Sequence, residues 1–170
     1  MGRVVKTRGS SFLLKALSDE GFVGFVRFQD LDLKGVPKVE GVYIVLRTTD
    51  GPPTFLKGSP GGWFNGNDPT ESVSKLESSW VKGTRVLYIG KASRTKYTDL
   101  RKRLRWYRAF GSGKRKAHWG GRYIWQCGDS ADYLVCWKDV TGRKARDVES
   151  ELIARFVSEY GQRPFANIIA

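Results

Sequence analysis

The chain has 170 residues, of which 40% are hydrophobic and 13% aromatic, and this composition excludes an intrinsically disordered protein. That length leaves room for one domain with a proper core rather than for two. A formal net charge of +13 predicts attraction to polyanions, and nucleic acid is the first candidate partner.

The chain shows no membrane or secretory signal. No apolar run approaches the roughly 18 residues of a membrane span, and residues 1–11 are basic without an apolar segment before a cleavage site. We therefore expect a cytoplasmic protein with no membrane partner. Two cysteines, Cys127 and Cys136, and one histidine cannot supply four zinc ligands from side chains, so we expect both thiols to be reduced and packed.

The first half of the chain predicts strands separated by a long irregular segment. Residues 42–46 form a nearly continuous β-branched run, which is typical of a strand covered on both faces. Residues 50–70 contain five glycines and four prolines, so they predict a loop. In chain order we predict a helix at 11–17, a strand at 22–26, a strand at 42–46, the loop at 50–70, a helix at 70–80 and a strand at 85–89.

The second half predicts two longer helices. Asp99 suits the positive end of a helix dipole, and apolar residues recur at helical spacing from there to residue 110. A glycine- and lysine-rich loop at 111–121, strands at 122–126 and 132–138, and a helix at 147–160 follow. Because strands and helices mix without a strict βαβ rhythm, we predict one α+β domain over residues 1–170 with a small, mostly antiparallel sheet.

Positive charge is concentrated in one stretch. Residues 91–122 contain twelve Lys or Arg and one acid, Asp99, so +11 of the formal +13 lies in this segment. Such runs are often only solvated, but this one could follow a DNA backbone. The DNA-binding candidates are Arg101, Lys102, Arg105 and Arg108 on the helix and Lys114, Arg115 and Lys116 in the loop.

Glu149 lies among apolar residues on the last predicted helix. It shares a face with Ile153, Phe156 and Tyr160, whereas Glu151 lies on the opposite face, where it can form solvated i,i+4 pairs. A lone carboxylate at such a position either lies at the edge of the core and pairs with an arginine, or holds a divalent cation. The residues alone leave both alternatives open.

Arg103 and two tyrosines could carry chemistry on phosphate. Arg103 leans toward the packed side of its helix, where it could lay its stem on the core or hold two phosphate oxygens. Tyr43 and Tyr88 are positioned as strand packing residues. As a base, a tyrosine needs nearby positive charge because its ordinary pKa is about 10, and Lys91 could supply it.

These pieces together resemble the GIY-YIG nuclease superfamily, and especially the N-terminal nuclease module of the bacterial excision-repair incision subunit. The superfamily also includes restriction and homing endonucleases. The order of the pieces is more specific than any one of them. They are Gly41-Val42-Tyr43, Tyr88-Ile89-Gly90-Lys91-Ala92, Leu100-Arg101-Lys102-Arg103-Leu104 and Glu149-Ser150-Glu151-Leu152-Ile153, with Asn167 near the end.

The resemblance implies a three-stranded antiparallel sheet flanked by helices and metal-dependent hydrolysis of DNA phosphodiesters. By position, Glu149 would hold one Mg²⁺ or Mn²⁺ ion, Arg103 would contact the scissile phosphate of duplex or branched DNA, and Tyr43 or Tyr88 would act on the attacking water. Lys91 would assist the tyrosine. Tyr107 and Asn167 would support the site.

The chain departs from the family pattern in three places. Val42 replaces the usual isoleucine, Tyr88 follows Tyr43 by 45 positions, and Asn167 follows Glu149 by 18. The long spacing predicts an insertion at residues 50–83, in addition to an N-terminal extension at 1–40.

The insertion carries Trp63, Phe64 and Asn65 among glycines, and either covers the hairpin or reaches a DNA groove. His118 is a candidate supporting residue and second proton acceptor, although a lone histidine near a tryptophan is usually structural. Two other functions stay open: a DNA-binding module of the same fold without catalysis, and an RNA-associated basic protein. The sequence does not indicate the oligomeric state.

Overall fold

The computed structural model describes residues 9–116 and 118–168. The basic residues 1–8 and Ala117 fall outside this range, as do residues 169–170. Short 3-10 turns lie at Phe28–Asp30, Arg122–Gln126 and Ser130–Asp132. The helices and strands of the described part are α1 (Leu14–Asp19), β1 (Val23–Arg27), β2 (Gly41–Leu46), α2 (Val73–Ser79), β3 (Val86–Ala92), α3 (Leu100–Gly111), β4 (Leu134–Asp139) and α4 (Ala145–Tyr160).

The strands form one antiparallel sheet in the order β1-β4-β2-β3. The mixed α+β class and the antiparallel pairing predicted from the sequence are confirmed, but the sheet has four strands rather than three. The additional strand is β1, which comes from the N-terminal extension and pairs with β4. A side chain at Gly24 of β1 would overlap the ring of Trp137 on β4, so the glycine is what allows this close pairing.

Strand β2 lies in the middle of the sheet and is buried along its whole length. Tyr43 and Val45 belong to a hydrophobic core that includes α3, whereas Val42 and Ile44 belong to a second core that includes α4. Because side chains alternate along a strand, β2 contributes to both cores at once. This accounts for its unbroken apolar sequence, as the sequence predicted.

Strands β2 and β3 are antiparallel neighbours despite the long segment between them. The prediction that an inserted loop and helix interrupt a β-hairpin is therefore confirmed. Helix α2 within this segment begins after Ser72, whose hydroxyl accepts a hydrogen bond from the Lys75 N–H. Capping of this kind satisfies one of the unpaired N–H groups of the first turn.

The two long helices begin and end close to their predicted bounds. Helix α3 begins after Asp99, whose carboxylate accepts the Lys102 N–H at 2.8 Å. Helix α4 begins two residues earlier than predicted and ends at Tyr160, and Gly161 after it has φ +79°. Glycine adopts that left-handed conformation at little cost, so it is a suitable helix terminator.

The predicted strand at residues 122–126 is wrong, because these residues form a 3-10 turn. Tyr123, Ile124 and Trp125 are all buried, so the segment has no solvent face. Another segment lies on the outer edge of β3, where Ala166 donates its N–H to the Leu87 carbonyl. Apolar content alone does not distinguish a buried turn from a buried strand.

In the described part of the chain, no helix combines the length and apolar character needed to cross a membrane. Cys127 and Cys136 are buried free thiols, as predicted. Burial raises the pKa of Cys127 to about 12. Its thiol is therefore protonated and unreactive near neutral pH.

Candidate functional site

A small cleft of about 240 Å³ lies at the edge of the sheet formed by β3. Four of the residues singled out in the sequence line it: Tyr88, Lys91, Arg103 and Glu149. They come from three elements, since β3 supplies two and α3 and α4 supply one each. The remaining lining residues are Ala92, Ser93 and Thr98.

The edge position of β3 explains how side chains from both faces of the sheet reach this cleft. Tyr88 packs in the core on the α3 side. Lys91 is three positions further along the strand, so its side chain points to the opposite face, where α4 lies. Because no other strand of the described residues pairs with the outer edge of β3, side chains from the two faces can converge around it.

Glu149 is held at the cleft by Lys91. The Lys91 Nζ lies 2.9 Å from Oε2 of Glu149, and the Glu149 side chain is only 16% exposed. The sequence left open an arginine partner or a metal ion, and in the structure the partner is a lysine. A carboxylate this enclosed is costly to leave without a cation, so the ion pair stabilises its charged form.

A second carboxylate, Glu151, lies on the outer face of α4, as predicted. Its side chain is 61% exposed and pairs with Arg143. The expected i,i+4 pair with Arg155 is not what the structure shows, because Arg155 pairs with Glu20 instead. Two carboxylates only two residues apart therefore have different surroundings, one enclosed at the cleft and one in solvent.

The ring of Tyr43 packs against a glycine of the neighbouring strand, next to Tyr88. It lies on β2 directly opposite Gly90 of β3, and a Cβ at position 90 would be 2.4 Å from Cζ of Tyr43 and 2.6 Å from its hydroxyl oxygen. Any side chain at position 90 would thus displace the ring. The ring centroids of Tyr43 and Tyr88 are 5.9 Å apart, so the two predicted tyrosines are neighbours.

His118 completes a buried aromatic cluster behind the cleft. Its ring stacks on Tyr107 with centroids 3.6 Å apart and an interplanar angle of 4°. Its Nε2 shares a hydrogen bond of 2.8 Å with the Tyr43 hydroxyl. The Tyr107 hydroxyl donates to the Gly121 carbonyl at 2.6 Å. Both predicted supporting residues thus fix the position of Tyr43 or of the loop that covers it.

The electrostatics of this cluster disfavour charge on the aromatic groups. Burial raises the pKa of Tyr43, although the Arg103 guanidinium opposes the rise. Burial and the neighbouring Tyr43 phenol raise the pKa of Tyr88 well above its ordinary value. Burial and the positive charge of Arg103 lower the pKa of His118 well below its ordinary value. A lowered pKa makes His118 a weaker base, and its hydrogen bond holds the Tyr43 hydroxyl.

Arg103 keeps its charge at this site. Burial alone would lower its pKa, but the nearby phenols of Tyr43 and Tyr88 give a net rise. A guanidinium that lines a cleft while remaining charged is suited to hold two oxygens of a phosphate group.

Asn167 lies beside the strand rather than among the cleft-lining residues. Its Oδ1 accepts the Ile89 N–H at 2.9 Å, and its Nδ2 donates to the Ile89 carbonyl at 2.8 Å. These two bonds satisfy the outer edge of β3 at the residue between Tyr88 and Gly90. Asn167 therefore positions the strand that carries Tyr88.

The predicted DNA-binding residues fall into two groups. Arg101 donates to the carbonyls of Val36 and Lys34, and Arg108 donates to the carbonyl of Leu31 at 3.0 Å. These two arginines fasten the N-terminal extension to α3, so their first task is structural. Lys102 contacts the carbonyl of Tyr97 at 3.4 Å. The exposed members are Arg105, Lys114, Arg115 and Lys116.

Within the described residues, no group of three or more His, Cys, Asp or Glu side chains could form a protein-only metal centre. At the cleft, Glu149 is the carboxylate among the lining residues. Mg²⁺ is often held by one or two carboxylates together with substrate phosphates and waters. Glu149 therefore fits a metal ion whose coordination is completed by a bound phosphate, and does not fit a zinc-type site.

Two hydroxyl residues at the cleft were not anticipated from the sequence. Ser93 and Thr98 lie in the turn between β3 and α3 and line the opening. No periodicity or motif marks them, because residues in an irregular turn are brought to a site by the chain path alone. Their hydroxyls can donate to phosphate oxygens.

A guanidinium, an ammonium, a carboxylate and a phenol thus surround one opening, which is an arrangement suited to bind and polarise an anionic ester.

No family model matches this chain, and no curated protein or solved structure is significantly similar to it.

Proposed function

We propose that this protein is a metal-dependent endonuclease of the GIY-YIG superfamily that hydrolyses DNA phosphodiester bonds. The observation that carries the proposal is the convergence of Tyr88, Lys91, Arg103 and Glu149 on one cleft. These residues are separated along the chain, and their order is that of the superfamily motifs. The surplus of eleven positive charges in residues 91–122 supports a polyanionic substrate.

Arg103 has the chemistry to bind the scissile phosphate. Its charged fork would hold two oxygens and neutralise negative charge as it builds up in the transition state. Ser93 and Thr98, on the turn before α3, would position the same phosphate by donating hydrogen bonds.

Tyr88 is the better placed of the two tyrosines to contact the attacking water, because it lines the cleft while Tyr43 is fully buried. Its raised pKa keeps Tyr88 protonated near neutral pH, so its first task is to orient the water by a hydrogen bond. Positive charge from Arg103 and Lys91 would favour the phenolate form of Tyr88. Tyr43, held by His118, fixes the ring of Tyr88 from behind.

Glu149 would hold a Mg²⁺ or Mn²⁺ ion. When bound, such an ion supplies neutralisation of charge on the phosphate oxygens. Lys91 contacts only Oε2 of Glu149 in the structure. Because Lys91 lines the cleft, its ammonium would exchange this contact for one with the incoming phosphate.

A plasmid-nicking assay with Mg²⁺ or Mn²⁺ tests the proposal. We expect Glu149→Gln to lower the rate at least about 100-fold, the scale seen when one charge-stabilising group is lost. The matched control is Glu151→Gln, which removes the same charge from the exposed face of the same helix and should retain full activity. Activity that survives Glu149→Gln would refute the assignment.

A second pair of variants tests the phosphate contact. Arg103→Lys keeps the charge but removes the planar fork, and we expect a large loss of rate at an unchanged fold. Arg105→Lys makes the same exchange at an exposed position of α3 and should have little effect. Equal losses from the two variants would refute a specific contact between the planar fork of Arg103 and the phosphate.

A DNA-binding module without catalysis is the second candidate function. Two observations favour it: Lys91 already neutralises Glu149, and burial raises the pKa of both tyrosines. This candidate predicts salt-sensitive DNA binding without cleavage under any metal or substrate geometry. The same protein preparation distinguishes the two candidates when binding and nicking are measured side by side.

A further inference from the structure

One exposed tryptophan lies beside three exposed cations that are not among the cleft-lining residues. Trp63 is 51% exposed, which is unusual for so large an apolar ring. Lys114, Arg115 and Lys116 are exposed as well. We call Trp63 and residues 114–116 together the Trp63 surface.

The backbone of the insertion is fixed against the basic loop next to Trp63. A Cβ at Gly62 would lie 2.0 Å from the Lys114 carbonyl oxygen, so only glycine permits this contact. The Gly62 N–H donates to the Phe110 carbonyl at the end of α3 at 2.9 Å. Trp63 is the next residue, so the ring is attached to a backbone that is held directly on the cationic loop.

A tight turn on the other side of Trp63 makes this presentation rigid. Phe64 and Asn67 exchange two backbone hydrogen bonds around Asn65 and Gly66, both of which have positive φ. This is the geometry of a two-residue hairpin turn, for which Asn-Gly is the preferred sequence. Phe64 packs near Trp119, with ring centroids 6.4 Å apart. Trp63 is thus exposed on an ordered support, not on a loose loop.

The Trp63 surface is connected to the cleft through its own loop. The segment after Lys116 returns to the site at His118, which bonds Tyr43. A Cβ at Gly121 would lie 3.1 Å from Cζ of Tyr88 and 2.3 Å from the Tyr107 hydroxyl. The segment that follows the cations of the Trp63 surface therefore covers Tyr107 and Tyr88 behind the cleft.

We propose that the Trp63 surface binds an unpaired DNA base and its flanking phosphates, so that the preferred substrate contains unpaired nucleotides. An exposed, rigid indole offers a stacking face to any base that is not paired, and the adjacent cations neutralise its phosphates. In a fully paired duplex the faces of the bases are already stacked on each other. This inference rests on the proposed function, which makes DNA the substrate, and it adds which structural class of DNA is preferred.

Binding without metal tests the inference independently of cleavage. Fluorescein-labelled single-stranded DNA, a duplex with a gap of unpaired thymines and a fully paired duplex are titrated in EDTA, and fluorescence anisotropy gives the Kd. We expect Trp63→Ala to weaken binding of the single-stranded and gapped DNA about tenfold, at the low end of measured base–aromatic stacking. Binding of the paired duplex should change less than about twofold, and Trp63→Phe should restore most of the loss because it retains a stacking ring.

The cations are tested by the salt dependence of the same titrations. Lys116→Gln should lower the slope of log Kd against log salt by about 0.7 for single-stranded DNA. The control is Lys82→Gln, an exposed lysine that follows Val81 of the core on the α4 side, and it should leave the slope unchanged.

An equal loss for paired and unpaired DNA in Trp63→Ala, or no loss for either, would overturn the inference. Its failure is distinguishable from failure of the nuclease proposal. If nicking depends on Glu149 but binding ignores Trp63, only the inference is wrong. If Trp63 controls binding of unpaired DNA but no nicking occurs, the surface stands and the protein is a binding module.

Discussion

The buried histidine predicts a pH-dependent stability that can be assigned to one residue. His118 is the only histidine in the chain, and it is fully buried. Its Nε2 bonds Tyr43, and among the described residues its Nδ1 has no hydrogen-bond partner. Because burial and Arg103 lower the pKa of His118 well below its ordinary value, the folded protein holds the ring neutral.

The sign of the effect follows from proton binding. Below the unfolded pKa of about 6.5, the unfolded chain takes up a proton at position 118 that the folded protein does not. Acidification therefore favours unfolding, and the contribution to stability is present above pH 6.5 and lost as pH falls toward the folded pKa. The slope approaches about 1.4 kcal/mol per pH unit, so the loss from pH 7.5 to pH 5 is about 2 kcal/mol. For a chain of this length that is a decrease in Tm of about 4–8 °C.

Denaturant unfolding at intervals from pH 7.5 to pH 5 measures this dependence, and most carboxylates stay ionised over that range. In His118→Phe the titrating group is gone while a ring remains against Tyr107, so its stability should be nearly independent of pH over the same interval. Proton NMR of the wild-type protein gives a second measure, since the single imidazole signal should not titrate while the protein is folded. A folded-state imidazole that titrates near pH 6.5, or equal pH slopes for the two proteins, would refute the reasoning.

Three further variants test the structure around the site. Asn167→Asp places a carboxylate oxygen against the Ile89 carbonyl and should lower the free energy of unfolding by about 2 kcal/mol at pH 7. Denaturation measures this loss, with Asn67→Asp as an exposed control, and an equal effect of the two variants would contradict the role of Asn167. Gly90→Ala should cost about 1–3 kcal/mol by overpacking Tyr43 and lower nicking more than stability explains, whereas an unchanged Tm would show that the ring has room. Gln126→Leu removes three hydrogen bonds to residues 56 and 71 and should lower the free energy of unfolding by about 2–3 kcal/mol. Limited proteolysis of this variant should cleave first within residues 50–83.

The positions of Glu149 and Arg103 could be predicted because each depends on local periodicity. A helix of 3.6 residues per turn fixes which side chains share a face, whatever the rest of the fold. The pattern therefore placed Glu149 at the packed side of α4 and Glu151 in solvent. The identity of the ion-pair partner could not be predicted, because Lys91 approaches from β3, and the pairing of strand with helix is a tertiary contact.

The arginines of α3 show the same limit. Charge composition alone made Arg101 and Arg108 equivalent to Arg105, but the first two bond carbonyls of the N-terminal extension. Only the path of residues 28–36 across α3 distinguishes them, and that path has no periodic signature. Likewise, the hydrogen bond between His118 and Tyr43 could not be predicted, because it depends on a loop that folds back over the site.

The long segment between β2 and β3 does not weaken the site, for reasons of chain entropy and anchoring. The cost of closing a loop rises only with the logarithm of its length, so extending a short hairpin connection to residues 47–85 costs about 2 kcal/mol. The three hydrogen bonds of buried Gln126 to the insertion offset a cost of that size. Strands β2 and β3 are held in register because both faces of the pair are packed in the two hydrophobic cores. The insertion can therefore expose Trp63 without moving Tyr43 relative to Tyr88. Residues 50–83 can therefore change in sequence while the cleft keeps its geometry.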